Sequence, residues 1–337
     1  MKLSGKNILL ISWLGMLTTA ITMSSCESEI QNQPITDTTD QLLGFPTFIT
    51  PAGTYFETSI TDIPVIDGAE YELKISGAGV KPTVFSLQEL LDLEMVERTL
   101  TIECIGNPVN GNLVGTATWK GFRIYDLLES LGINESASIV KYVCADGYFT
   151  YNSLEELQES DVIGALYMND ELIPSKYGFP LRIIFPGYYG VRQPGWIVEM
   201  ELLESGIEDY WSQWGWKTDS SMTVDSKIFF PENNKTLILG DSVKIGGAAF
   251  GGRRISTVEI TVDEGETWIP ATIRKSLDED HIWIFWEAIF IPRQPGSLTI
   301  HSKATAQDGR TQPWADNNYL NGTNALPSIS ISVEEAN

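Results

Sequence analysis

The chain has few of the residues from which most metal sites and nucleophilic sites are built. Its 337 residues include three cysteines and two histidines, and one cysteine, Cys26, lies close to the N-terminus. A structural zinc site takes about four ligands from cysteine, histidine or acid. The two remaining cysteines with His281 and His301 are too few and too scattered for one. A histidine-based catalytic triad would have to use one of these two distant histidines.

Basic residues are scarce as well. The chain carries 22 lysines and arginines against 45 acidic residues, which gives a net charge of −23. A surface this acidic repels phosphate backbones, so nucleic acid is not expected as a partner. An anionic ligand would therefore need a local basic pocket.

Long apolar runs are missing beyond the N-terminal region. Lys2 and Lys6 precede an apolar run over residues 8–21, which ends in small residues before Cys26. The run is too short to span a bilayer, which takes about 20 residues, so residues 1–26 are predicted to be a secretory signal peptide. Without the two lysines of this signal, 20 basic residues remain against 45 acidic ones, a net charge of −25.

The residues just before Cys26 resemble the lipobox of bacterial lipoproteins. By that resemblance Cys26 is the lipidated first residue of the mature chain. The lipid would anchor the protein to a membrane in the cell envelope of a Gram-negative bacterium, facing the periplasm or the cell surface. A plain signal peptide with an incidental cysteine is the alternative. Residues 27–44 are mostly polar and are predicted to form a flexible tether.

Residues 99–107 (TLTIECIGN) place a thiol at the end of a predicted strand. Leu100, Ile102 and Cys104 alternate with polar residues, the period of a strand. Gly106 and the residue after it then permit a loop. Ligands are commonly bound at the carboxyl ends of strands. A thiolate there can attack a substrate, join a disulfide or hold a soft metal.

The rest of the pattern predicts two bodies. Over residues 45–221 strands alternate with short helices, which favours an α+β fold. Over residues 222–337 short strands recur between turn residues, which favours an all-β sandwich of immunoglobulin type. Trp211, Trp214 and Trp216 lie at the junction and are interpreted as packing between the two bodies. A platform on which a ligand stacks is the alternative.

Several segments, taken in order, resemble the sulfite oxidase family of molybdopterin-dependent oxidoreductases. In the first body they are residues 100–107 (LTIECIGN), 119–122 (WKGF), 168–174 (MNDELIP), 178–182 (GFPLR) and 186–192 (PGYYGVR). In the second body, residues 245–252 (IGGAAFGG) and 258–268 resemble the dimerisation domain of that family. The resemblance covers roughly residues 45–335.

The resemblance implies a fold, a cofactor and a set of site residues. The fold is α+β: a mixed molybdopterin-binding domain over residues 45–221, then an immunoglobulin-like dimerisation domain over residues 222–337. The cofactor is molybdenum-molybdopterin, with Cys104 as the metal ligand and Tyr148 as the active-site tyrosine, both catalytic. A soft thiolate suits such a metal, and arginines can fork onto the pterin phosphate. The cofactor-binding residues would be Asp146, Tyr177, Arg182, Arg192, Gln193 and Gly195.

Basic residues of the family pattern are missing here. Thr58 and Ile60 stand where the family has arginine and histidine, Tyr177 stands for a histidine, and Gly195 stands for a lysine. A small dianion needs concentrated positive charge. Sulfite is therefore not the expected substrate, and a neutral oxygen-atom donor or acceptor such as a sulfoxide or an N-oxide is. Lys176 and Arg123 are candidates to replace the missing charge.

The sequence therefore predicts an envelope-anchored oxidoreductase that performs a two-electron oxygen-atom transfer on a small molecule. No haem-attachment motif is present, so electrons are expected to pass through a separate electron-transfer protein. The C-terminal domain implies a homodimer. The alternative function is a non-catalytic surface lipoprotein that keeps the fold for binding.

The site residues also have plainer interpretations. Cys104 and Cys144 would form a disulfide in an oxidising compartment. Arg182 and Arg192 would be ordinary ion-pair partners in so acidic a protein. Tyr148 would be a packing residue.

Overall fold

The computed structural model describes residues 44–277, 279–316 and 318–336. These residues all belong to one compact unit of the chain. Cys26, the predicted signal peptide and the predicted tether up to residue 43 lie outside the described residues. In the described part, no helix is long and apolar enough to cross a membrane.

The first half consists mostly of strands, with three short helices in the described residues. Two of these helices begin at the capping boxes visible in the sequence. The side chain of Ser86 accepts from the Glu89 backbone, and the side chain of Ser153 does the same for Glu156. The elements are β1 (Glu72–Gly77), β2 (Thr83–Ser86), α1 (Leu87–Leu91), β3 (Val96–Glu103), β4 (Val114–Arg123), α2 (Ile124–Ser130), β5 (Ile139–Cys144), β6 (Phe149–Ser153), α3 (Leu154–Glu159), β7 (Ile163–Met168), β8 (Glu171–Leu172), β9 (Arg182–Ile184) and β10 (Ile197–Leu203).

Two sheets arrange these strands. One has the order β2-β1-β10-β5-β6, and the other has the order β3-β4-β7-β8 with β9 paired to β7. Cys104 directly follows β3, Asp146 lies in the turn between β5 and β6, and Arg182 begins β9. Residues that were chosen from separate motifs are thus carried by the ends of strands from both sheets.

Strand β3 differs from its predicted pattern. Leu100 and Ile102 are buried as expected, but Thr101 and Glu103 on the alternate face are buried too. The reason is that the second half of the chain covers that face. The Thr101 amide donates to the carbonyl of His281 at 2.8 Å, and its hydroxyl accepts from the Trp283 amide at 2.7 Å.

The second half is built only of strands, apart from one turn of 3₁₀ helix (Tyr319–Asn321) in its described residues. Its two sheets, β11-β13-β17-β16 and β12-β19-β18-β14-β15, share one apolar core that includes Ile245, Trp286 and Ile300. The two-layer β architecture predicted from the turn spacing is confirmed. The strands are β11 (Asp225–Phe230), β12 (Lys235–Ile238), β13 (Val243–Phe250), β14 (Ile255–Thr261), β15 (Ile269–Pro270), β16 (Thr272–Lys275), β17 (Ile284–Phe290), β18 (Gly296–Ala306) and β19 (Ser328–Glu334).

An aromatic cluster joins the two halves. Phe45 stacks on Phe285 with ring centroids 5.1 Å apart, and the Trp283 indole donates to the Phe48 carbonyl at 2.9 Å. Buried aromatic pairs of this kind contribute about 0.5–1.5 kcal/mol each beyond the area that they bury. The two domains therefore hold each other rigidly around the end of β3, where Cys104 lies.

Candidate active site

One cavity of about 300 Å³ gathers most of the residues that the sequence selected. Its walls come from the loop after β3, the β5–β6 turn, the segment before β9 and the loop before β10. The predicted site residues that line it are Cys104, Asp146, Tyr148, Tyr177, Arg182, Gln193 and Gly195.

Cys104 presents a free thiol to this cavity. Neither Cys104 nor Cys144 is in a disulfide, so the interpretation of the two as a bridge is wrong. Burial raises the pKa of the Cys104 thiol, while a hydrogen bond from the Gly106 backbone lowers it. A bound metal cation would deprotonate such a thiol, because a coordinating thiol loses its proton to the charge of the ion. The thiol is therefore suited to be a ligand and poorly suited to be a free nucleophile.

Asn107 fixes the loop that carries Cys104. Its side-chain amide donates to Glu103 Oε1 at 2.9 Å, and its side-chain oxygen accepts from the Leu113 amide at 2.9 Å. Burial raises the pKa of Glu103 to about 8, and the hydrogen bond from Asn107 opposes this rise. One side chain thus closes the loop and also satisfies half of a buried carboxyl group.

The second half of the chain holds the same loop from the other side. The ammonium of Lys227 donates to the Gly111 carbonyl, and the hydroxyl of Thr323 donates to the Asn107 carbonyl. The Ile228 amide donates to the side-chain oxygen of Asn110 at 2.9 Å. Contacts from two separate segments, the strand Asp225–Phe230 and the loop of Thr323, leave the loop of Cys104 little freedom.

The hydroxyl hydrogen of Tyr148 binds the protein backbone, which differs from the predicted role of an active-site donor. Its backbone amide donates to Asp146 Oδ1 at 3.0 Å, and its hydroxyl donates to the Val191 carbonyl at 2.6 Å. Burial raises the pKa of Tyr148 well above its ordinary range. The single hydroxyl hydrogen is thus used within the protein, and the oxygen remains able to accept a hydrogen bond. A catalytic role for Tyr148 stays a prediction.

Arg182 is a cation with an unsatisfied donor. Nη1 donates to the Tyr177 carbonyl at 3.1 Å, and the guanidinium lies 5.2 Å from the ring centroid of Trp119. Nε is enclosed and has no hydrogen-bond partner among the described residues. Burial lowers the pKa of Arg182. Such an enclosed charge calls for an anionic partner in the cavity.

Gln193 has an unpaired acceptor, which complements the unpaired donor of Arg182. Its amide nitrogen donates to the Tyr188 carbonyl at 2.7 Å, which leaves Oε1 enclosed without a partner within the described chain. Gly195 lines the cavity only with its backbone. A Cβ at this position would lie 2.5 Å from Gly178 Cα, so two segments of backbone meet here and no side chain fits.

Tyr177 turns its hydroxyl away from a ligand. The hydroxyl hydrogen is shared between the carbonyls of Ala52 and Tyr55, the second at 2.9 Å. Its ring lines the cavity and lies beneath the ammonium of Lys176, 4.6 Å from the ring centroid. A contact of Tyr177 with a cofactor would therefore be made by the ring.

Arg192 lies apart from the other predicted cofactor-binding residues. It is buried outside the residues that line the cavity, and its Nη2 donates to Glu156 Oε2 at 2.8 Å. Its guanidinium also lies 5.3 Å from the ring of Tyr151 and 5.4 Å from that of Tyr188. This is the ordinary ion pair that the sequence left open, but Nε of Arg192 has no partner among the described residues, so its contact with the cofactor phosphate stays a prediction.

Of the two basic residues expected to replace the missing charge, only one lines the cavity. Arg123 pairs with Asp161 at 3.0 Å and does not line the cavity, whereas Lys176 does. Glu57 also lines the cavity and was not predicted as a site residue, and so do Trp211 and Trp216, for which a ligand platform was the alternative interpretation. The signal for Glu57 was its place in the segment where the basic element of the family is missing.

The chemistry of the lining fits molybdenum-molybdopterin. A pterin phosphate offers acceptors to the unpaired Nε of Arg182, and pterin nitrogens offer donors to the unpaired Oε1 of Gln193 and to Asp146. Cys104 supplies the soft ligand that a metal already bound to sulfur prefers. The unpaired polar atoms are thus of the two opposite kinds that this cofactor requires.

Two family models match the chain. Residues 60–211 match the oxidoreductase molybdopterin binding domain, and residues 217–329 match the Mo-co oxidoreductase dimerisation domain. The chain belongs to the sulfite oxidase family of molybdopterin-dependent oxidoreductases. The resemblance that the ordered motifs indicated is thereby confirmed, and molybdenum-molybdopterin is the cofactor that membership implies.

Relatives in the family are similar at moderate identity. Mitochondrial sulfite oxidase of Drosophila melanogaster is 28% identical over 320 residues, which cover 79% of this chain and 55% of the relative. The enzyme of Homo sapiens is 26% identical over 79% of this chain and 57% of its own. The chain therefore spans just over half the length of these relatives. Sulfite oxidase of Arabidopsis thaliana is 24% identical over 79% of this chain and 82% of its own.

A solved structure shows the same fold. Sulfane dehydrogenase SoxCD from Paracoccus pantotrophus matches with a TM-score of 0.74 and 20% identity, over 87% of this chain and 85% of that chain. The similarity extends across both halves of the protein described above.

Proposed function

We propose that the protein is a molybdopterin-dependent oxidoreductase that moves one oxygen atom in a two-electron reaction. The observation that carries this proposal is the cavity in which the free thiol of Cys104 meets the unpaired atoms of Arg182 and Gln193. When bound, the cofactor supplies a metal that exchanges two electrons and an oxygen atom with a substrate. For a sulfoxide, the overall reduction consumes two electrons and two protons and yields a thioether and water.

The residues of the chain then bind, orient and shield. Arg182 and Gln193 would hold the cofactor by its phosphate and ring donors, and Asp146 would accept from a pterin nitrogen. Tyr148 ties the β5–β6 turn to the Val191 carbonyl and so fixes the width of the cavity. The rings of Phe56, Trp211 and Trp216 limit the access of water. A drier site strengthens each polar contact in it.

The reacting group of the substrate is proposed to be neutral and organic, such as a sulfoxide or an N-oxide, and sulfite is not the proposed substrate. Thr58, Ile60 and Gly195 line the cavity without charge, and Glu57 adds a carboxylate. Charge-assisted hydrogen bonds are worth roughly 1.5–3 kcal/mol each. Two lost contacts would weaken the binding of a small dianion by ~3–6 kcal/mol, or roughly two to four powers of ten. A sulfoxide or an N-oxide loses little from the same changes.

Steady-state kinetics with sulfite and with a panel of sulfoxides and N-oxides tests this substrate assignment. We expect turnover of at least one neutral compound, and a kcat/KM for sulfite lower by roughly two powers of ten or more. Turnover of sulfite with a micromolar Michaelis constant and none of the neutral compounds would mean that Lys176 and other groups rebuild an anion site.

Anchoring to the cell envelope is proposed from the sequence around Cys26. In the native host, Cys26→Ala should move the protein from the membrane fraction to the soluble fraction, or leave it unprocessed, because the lipid attachment point is gone. The measurement is membrane partition together with the mass of the mature N-terminus. An unchanged membrane fraction would contradict the lipidation and favour the plain signal peptide.

Two further expectations belong to this proposal. A homodimer through the C-terminal domain, which we propose to be immunoglobulin-like, is supported by the dimerisation-domain match. A separate electron-transfer protein is the proposed electron partner. A purely binding lipoprotein is not favoured, because unpaired polar atoms in a cavity beside a free thiol suit a cofactor. Molybdenum measured in the purified protein separates the two functions.

A further inference from the structure

The mouth of the cavity carries an aromatic wall. Trp211 and Trp216 line it, both are only half-buried, and their ring centroids are 6.3 Å apart. A Cβ built on Gly106 would lie 3.6 Å from the edge of the Trp216 ring, so this indole reaches the loop of Cys104. Phe56 adds a third ring to the lining.

Neighbouring rings fix this wall in place. Tyr210 lies 5.2 Å from Trp211 and 5.6 Å from Tyr148, and Tyr319 lies 5.8 Å from Trp216, all edge to face. In an edge-to-face contact the edge of one ring lies against the face of the other, so these contacts hold the two indoles in place. The prediction that these tryptophans only pack between domains is thus too narrow, because two of them also line the cavity. Trp214 does neither, since 71% of it is exposed and it is absent from the lining.

The charged side chains that line the cavity differ in whether they already have a partner. Four charged residues line the cavity: Glu57, Asp146, Lys176 and Arg182. The proposed cofactor contacts use Asp146 and Arg182, and the Lys176 ammonium already lies over the Tyr177 ring. Glu57 is exposed and makes no ion pair or side-chain hydrogen bond with a described residue. The carboxylate of Glu57 and the half-buried indoles of Trp211 and Trp216 line the same cavity and remain for a substrate.

We propose that the substrate carries a positively charged organic group, such as a substituted ammonium, which binds on the Trp211–Trp216 wall with Glu57 as its counter-charge. This inference rests on the proposed oxidoreductase function and names the part of the substrate that does not react. Indole is the best aromatic partner for a cation. The acidic surface, with its net charge of −23, also raises the local concentration of cations.

Binding of simple probes to the purified, cofactor-loaded protein tests the inference. The probe is benzyltrimethylammonium, and its uncharged isostere neopentylbenzene and the anion phenylacetate are the comparisons, each titrated by calorimetry. We expect the cation to bind about tenfold tighter than the isostere, the range that a desolvated cation–π contact and a carboxylate provide. Equal affinity for the cation and the isostere, or tighter binding of phenylacetate, would overturn the proposal.

Matched variants locate the contact. Glu57→Gln and Trp216→Leu should each weaken binding of the cation by about fivefold or more and leave the isostere nearly unchanged for Glu57→Gln. Glu204→Gln and Trp214→Leu are controls of the same kind, because both residues are exposed and neither lines the cavity. A loss of affinity in these controls equal to that in the test variants would contradict the assignment. Glu57 is exposed, so its variant keeps the test decisive even if Trp216→Leu fails to fold.

The molybdenum content of each preparation distinguishes failure of the cation site from failure of the proposed oxidoreductase function. Molybdenum without selectivity for the cation overturns this inference and leaves the oxidoreductase function standing. A protein purified from its native host without molybdenum, but with cation selectivity that depends on Glu57, overturns the function and supports the binding site.

Discussion

Cys104→Ser should remove the protein's sulfur ligand from bound molybdenum and abolish turnover, while the fold is retained. The substitution replaces a soft ligand by a hard hydroxyl of similar size, and the high-valent metal of this family prefers sulfur. The thiol makes no disulfide and borders a cavity, so a smaller oxygen there leaves no core cavity behind. Elemental analysis, the electron paramagnetic resonance spectrum of the half-reduced metal and a thermal melt measure the three expectations.

The chain offers its own control for this experiment. Cys144 is also a free thiol, but it is buried and does not line the cavity. Burial raises the pKa of Cys144 well above its ordinary value, as expected of an inert core thiol. Cys144→Ala should therefore lower the melting temperature somewhat and leave the metal spectrum unchanged. Metal content and spectra that survive Cys104→Ser intact would refute the ligand assignment.

The strand that carries Cys104 shows which structural features can be predicted from the sequence and which cannot. Its period of two correctly predicted a strand, and Gly106 correctly predicted the loop. Burial of Thr101 could not be predicted, because its partners His281 and Trp283 belong to a domain more than a hundred residues further on. Periodicity reports which face is apolar and does not report that a polar face is covered by hydrogen-bonding neighbours.

The candidate site shows the same division. Cys104, Arg182 and Gln193 come from separate short motifs at the ends of strands. The fold brings these strand ends together, so the three residues line one cavity. Arg192 belongs to an equally good motif, yet Glu156 of a distant helix captures it. Hydroxyl directions, such as that of Tyr148 toward Val191, depend on contacts across some 40 residues and have no local signal.

Arg182→Met should change stability with opposite sign in the two forms of the protein. Without cofactor, the variant should melt higher than the wild type, because an enclosed cation with an unpaired Nε is replaced by an apolar side chain beside Trp119. With cofactor, it should melt lower, because the anionic partner has lost its counter-charge. Ligand binding stabilises the folded state in proportion to the logarithm of its affinity, so the gap between the two melts reports the cofactor contact directly.

Arg192→Met is the matched comparison, since it removes another arginine from the same domain, buried where Arg182 is half-buried. There the guanidinium is already paired with Glu156, so its loss should destabilise both forms equally, by ~1.5–3 kcal/mol for a charge-assisted hydrogen bond. Thermal melts of both variants, with protein from a host that makes molybdopterin and from one that does not, give four numbers. If the gap between loaded and empty protein shrinks for Arg192→Met and persists for Arg182→Met, the two arginines have been assigned the wrong way round. The phosphate would then lie against Arg192 after Glu156 has moved aside.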